Sequence, residues 1–89
     1  MNTTNFIPAI ESLIFAAPTP ISVADIKYCL ENTHAISIGI EDIENCIHLI
    51  ESRYQSSDFG IELKEISGGF QFLSKPDFFP LIAEYIKVN

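Results

Sequence analysis

His48 stands four positions after Glu44 and three before Glu51, so on a helix the three share one polar face. An imidazole between carboxylates is the arrangement of an oriented general base. A solvated charged face has the same spacing and explains it better. His34 lies in a polar connector with no Cys or His partner nearby in sequence, which leaves it without a metal-ligand set. Cys29 and Cys46 are 17 positions apart, with no CxxC and no His at ligand spacing. They are expected to be two buried thiols in a reducing cytosol. Ser67-Gly-Gly69 has the glycines of a phosphate loop, but no helix start follows it, so it reads as a hairpin turn. The chain therefore offers no catalytic residue, no cofactor site and no metal site, and no enzyme is expected.

The remaining chemistry is recognition. Residues 41–55 present Glu41, Glu44, His48, Glu51 and Gln55 on one side of a helix. Only Gln55 is suited to reading adenine, and the three carboxylates would face phosphate. The whole chain carries five basic and twelve acidic residues, a net charge of −7. That field repels nucleic acid and anionic lipid.

Hydrophobic residues make up 47% of the 89 positions and charged residues only 19%, and mean hydropathy is +0.23. Charge usually runs at about 25%, so the apolar surplus points to a surface covered by a partner. The apolar run at residues 6–17 is not expected to be a signal peptide, because no base precedes it and Glu11 interrupts it. No run is long enough to span a bilayer. A cytoplasmic protein, without membrane contact, is expected.

The elements that must position these residues follow from periodicity. Phe6, Ile10, Leu13, Ile14 and Ala17 recur at helical spacing and stop before Pro18-Thr-Pro20. Ile21 supplies one short extended position. Ser22 is a predicted N-cap, with Asp25 three residues on, for a helix that places Val23, Ile26 and Leu30 inward. A polar connector is expected over residues 32–39. In the third helix Ile43, Cys46, Ile47, Ile50 and Tyr54 fall within an arc of about 100°. Alternation on both sides of Ser67-Gly-Gly69 predicts a hairpin. A last helix is predicted over residues 77–87, with Asp77 as N-cap and Pro80 in its first turn.

The order helix, short strand, helix, helix, β-hairpin, helix is an α+β, mainly α arrangement: one winged-helix domain over residues 1–89. In this fold the third helix is the one that enters the major groove. Its acidity here makes protein binding the favoured use, with a winged-helix DNA-binding transcription regulator as the alternative. Apolar residues beyond one core's needs mark the candidate interface. They are Phe15 on the first helix, Leu73 on the wing, and Phe79, Leu81 and Ile86 at the edges of a last-helix stripe about 160° wide. Phe78, Ile82 and Tyr85, at the centre of that stripe, are expected in the core. Leu49 is expected to be an ordinary surface residue.

Two segments resemble one family. Ile10-Glu-Ser-Leu-Ile-Phe-Ala-Ala-Pro-Thr-Pro-Ile-Ser22 resembles the first helix and Pro-containing turn of segregation and condensation protein B. Ile61-Glu-Leu-Lys-Glu-Ile-Ser-Gly-Gly-Phe-Gln-Phe-Leu-Ser-Lys-Pro76 resembles that family's wing, with its Gly-Gly-aromatic turn and Ser/Thr-Lys-Pro exit. The resemblance extends over residues 10–86. It implies a non-enzymatic adaptor of a bacterial SMC–kleisin, condensin-like complex for chromosome condensation and segregation. Its implied partners are a second copy in a homodimer, the kleisin subunit and, through it, the SMC ATPase, with no direct sequence-specific DNA binding. Such proteins carry two winged helices and dimerise largely through the first, the one this chain matches. Leu73 stands where the family commonly has a charged or polar residue, which adds to its candidacy as a contact.

Overall fold

The computed structural model describes residues 6–34 and 37–88. Helix α1 spans Ile7–Ala16, α2 Val23–His34 and α3 Ile40–Arg53; strands β1 (Ile61–Ile66) and β2 (Gly69–Ser74) form an antiparallel hairpin; α4 covers Phe79–Val88. This is the expected winged-helix order. Residues 35 and 36 of the expected polar connector lie outside the described residues, and its first three residues belong to α2.

Local signals set the boundaries. Ala17 turns to extended backbone before the two prolines and ends α1. The Ser22 hydroxyl accepts from the Asp25 N–H at 3.1 Å, satisfying one orphan donor at the start of α2. Glu41 and Asp42 in the first turn of α3 and Arg53 in its last suit the helix dipole. Ile21 exchanges two backbone hydrogen bonds with Phe70, at 3.0 and 2.8 Å, and so forms the expected one-residue strand. Ser67 and Gly68 both have positive φ, as a two-residue hairpin turn requires.

One core joins α1, α2, α3 and the inner face of the wing. Ile10 and Ile14, Ile26 and Leu30, Ile43, Cys46, Ile47 and Ile50, and Leu63 are buried there. Each fully buried isoleucine contributes about 1.5–3 kcal/mol over its exposed state. Buried aliphatic residues recur at helical spacing on all three helices, which fixes how those helices face one another.

The last helix departs from expectation. A 3-10 turn, Pro76–Phe78, precedes it, so Asp77 lies inside that turn and is not the N-cap. Among the described residues α4 packs substantially only on this turn. Phe78 and Tyr85, expected in the core, are exposed, and Ile82 is half-buried. The molecule is accordingly elongated, with a radius of gyration of 14.8 Å and extents of 47 × 24 × 20 Å. A compact chain of this length would have a radius of gyration of about 12 Å. The apolar stripe on α4 is thus left uncovered by this chain's own core.

Candidate functional site

The apolar surface has two parts. The first is α4. At 100° per residue, Leu81, Tyr85, Ile82, Ile86 and Phe79 follow one another round the helix. Glu84 and Lys87, 3.8 Å apart, occupy the opposite side. Leu81 and Tyr85 are 72% and 70% exposed, values that belong to surface polar residues and not to two large apolar side chains on one stripe.

The second part is a cleft between α1 and the wing, lined by Phe15 and Ala16 of α1, Tyr54 at the end of α3, and Ile61 and Phe72 of the hairpin. Phe15 is uncovered by either the hairpin or the last helix. The Tyr54 ring forms the floor by packing edge-on against Phe72, with ring centres 5.0 Å apart, and against Phe59 at 4.8 Å. Its hydroxyl donates to the Glu11 carboxylate at 2.6 Å. That bond, followed by burial and the Glu11 charge, pushes the Tyr54 phenol above its ordinary pKa.

The five candidate interface residues therefore separate. Phe15 lines the cleft; Phe79, Leu81 and Ile86 lie on α4. Leu73 pairs with Glu62, while Phe72 pairs with Leu63. Side chains alternate along a strand, so Leu73 is on the wing face away from the core and from this cleft. Ile61 and Tyr54 also belong to the cleft, though the sequence pattern marks Tyr54 only as part of the inward arc of α3. Ile61 looked like one more inward position of an alternating strand, and it is exposed because it lies at the open end of the hairpin.

The polar candidates stay on the surface. Glu41, Glu44, His48 and Gln55 are exposed and Glu51 is half-buried; His48 Nδ1 lies 3.2 Å from Glu51. Leu49 is exposed, as expected. Cys46 is buried, and desolvation, then the nearby Asp42 charge, raises its thiol pKa. Cys29 is only half-buried, because it lies off the inward Ile26/Leu30 line of α2. Among the described residues no three His, Cys, Asp or Glu side chains are grouped to hold a metal ion. Among the same residues no helix is long and apolar enough to cross a membrane.

Comparison with known proteins agrees with the fold. The family model for segregation and condensation complex subunit ScpB matches residues 8–89. Segregation and condensation protein B of Moorella thermoacetica is 26% identical over 74 residues, covering 83% of this chain and 35% of the relative. The protein of the same name from Clostridioides difficile is 28% identical over 78 residues, covering 88% and 39% respectively. The chain thus spans well under half the length of these curated relatives. The crystal structure of a dimer of ScpB N-terminal domain complexed with ScpA peptide superposes with a TM-score of 0.77 at 21% identity, over 89% of this chain and 88% of that one. ScpB from Mycobacterium tuberculosis gives a TM-score of 0.77 at 16% identity, over 97% of this chain and 50% of that one. At these identities the structures establish the winged-helix fold.

Proposed function

The chain belongs to the segregation and condensation complex subunit ScpB family, and from that premise we propose that it is a non-enzymatic adaptor which works by homodimerising and gripping a kleisin segment. Residues 1–89 act as one winged-helix domain corresponding to the N-terminal part of the relatives. The observation that carries this reading is the uncovered apolar face of α4, with Leu81, Tyr85 and Ile86 exposed. A face of that kind on a small domain marks a protein contact. The solved ScpB N-terminal domain of the same fold is a dimer complexed with ScpA peptide, which supports both partners for this chain.

The third helix has the position of a DNA reader, but its exposed carboxylates and the net charge of −7 oppose that use. The work of the domain is assigned to α1, α4 and the wing, where Phe15, Leu73, Phe79, Leu81 and Ile86 are the proposed contacts. Light scattering over a concentration series tests the dimer: mass should rise towards twice that of the chain by high micromolar concentration. A strict monomer there would overturn the reading.

A further inference from the structure

The two apolar surfaces lie on the same chain but do not meet within it, and the connection between them explains why. The Lys75 N–H donates to the Gly60 carbonyl at 2.9 Å, and the Lys75 ammonium donates to the Ser56 carbonyl at 2.7 Å. Together they tie the exit of β2 to the segment that enters β1. The next turn is closed by Phe78 N–H to Lys75 O at 3.0 Å and by Phe79 N–H to Pro76 O. Pro76 and Pro80 fix φ on either side of Phe78. The Phe78 ring lies against Gly60, 3.8 Å from the point a Cβ there would occupy. This pinned, proline-bounded joint directs α4 outward, and the cleft beside Phe15 is left without it.

The exposed area fits a second copy. Phe15 (70%), Ile61 (41%), Phe79 (54%), Leu81 (72%), Tyr85 (70%) and Ile86 (64%) are exposed in one copy. With side chains of about 150–200 Å² each, they present roughly 700 Å², near the ~800 Å² per partner of a stable interface.

We propose that the dimer forms by reciprocal helix docking: α4 of each copy lies in the α1–wing cleft of the other, covering Phe15, Ile61 and Phe72. This rests on the homodimer reading and adds its geometry. The contact is isologous, helix to cleft and cleft to helix about one two-fold axis, so it closes at two copies.

Sedimentation equilibrium on the wild type, Phe15→Glu, Leu81→Lys and an equimolar mixture of the two variants tests it. Each variant alone should dissociate at least about tenfold more readily than the wild type. The mixture should form a heterodimer tighter than either variant's homodimer, because one of its two helix-in-cleft contacts is wild type on both sides and the other sets Lys against Glu. Far-UV circular dichroism checks that both variants are folded; one that loses its helical signal is replaced by Phe15→Ala or Leu81→Ala. A wild-type dimer indifferent to the change at Phe15, or a mixture no tighter than its parts, overturns the reciprocal docking and leaves the homodimer standing. A monomeric wild type overturns both.

Discussion

The Tyr54 hydroxyl donates to the Glu11 carboxylate at 2.6 Å, joining residues 43 positions apart in the sequence. It ties the end of α3 to the middle of α1 where both border the cleft, and Arg53 stands 3.9 Å from the same carboxylate. The bond fixes the Tyr54 ring against Phe72 and so sets the shape of the floor. Tyr54→Phe keeps the ring and deletes the donor. It is expected to lower unfolding stability by about 1 kcal/mol, read by urea denaturation. The raised phenol pKa gives the sign with pH. The contribution is complete below the unfolded-state pKa, about 10, and is lost as pH rises through the folded value. The difference between wild type and Tyr54→Phe should therefore shrink in strong alkali.

This contact also shows what a sequence conveys and what it does not. The spacing of Ile43, Cys46, Ile47 and Ile50 announces the buried face of α3, because a 3.6-residue repeat admits one inward arc. Ser22 and Ser67-Gly-Gly69 announce a cap and a turn, because their chemistry is local. The pairing of Tyr54 with Glu11 has no local signature; it exists only once α1 and α3 are packed. The same limit explains α4. Its stripe shows that Phe79, Leu81, Tyr85 and Ile86 need covering, but periodicity does not say which body covers them. Periodicity alone therefore places Phe78 and Tyr85 in the core, and the turn at Pro76 steers them away from it. Leu73 was separable from Phe15 only by the register of the hairpin.

The wing's two neighbouring glycines should respond differently to alanine. At Gly69 an added Cβ would lie 2.7 Å from the Pro20 carbonyl carbon and 2.9 Å from its oxygen, against backbone that has no room to yield. Gly69→Ala is expected to force apart the Ile21–Phe70 bridge and to cost about 2 kcal/mol or more. At Gly68 nothing lies within 4 Å, and the cost is that of φ +82 alone, about 1 kcal/mol. Thermal denaturation should rank the two in that order. Equal losses would show that the close approach of the wing to Pro20 is not what demands Gly69.

Acid should act on the α2–α3 connection. The Glu31 carboxylate accepts from the Lys27 ammonium at 2.8 Å and from the Ile38 N–H at 3.1 Å. The same ammonium also donates to the Ile38 carbonyl. These bonds, Lys27 first, hold the Glu31 pKa below the ordinary carboxylate value. A pKa depressed on folding means stability that is present above the unfolded-state value, about 4.3, and lost as pH falls through the folded one. Between pH 5 and pH 3 the wild type should lose more in melting temperature than Glu31→Gln, which carries no titrating group there. Parallel pH profiles for the two proteins would refute a role for this carboxylate in acid stability.

The outward face of α3 supplies the remaining prediction. Glu41 and Glu44 are exposed there beside His48, and Glu51 is half-buried with its carboxylate 3.2 Å from the imidazole. On a duplex, bound counterions are released only where cations replace them, and this face brings carboxylates in their place. The wing adds Lys64, whose ammonium already stands 3.8 Å from Glu62. Duplex DNA should therefore show no mobility shift with the wild-type chain, even at low salt, where electrostatic binding is strongest. Reversing the face with Glu44→Lys and Glu51→Lys should produce weak binding, with a salt dependence steepening by about one unit per added cation. If the wild type itself shifts DNA at low salt and releases it as salt rises, the domain binds duplex DNA through some surface, and its use as a protein-only scaffold fails.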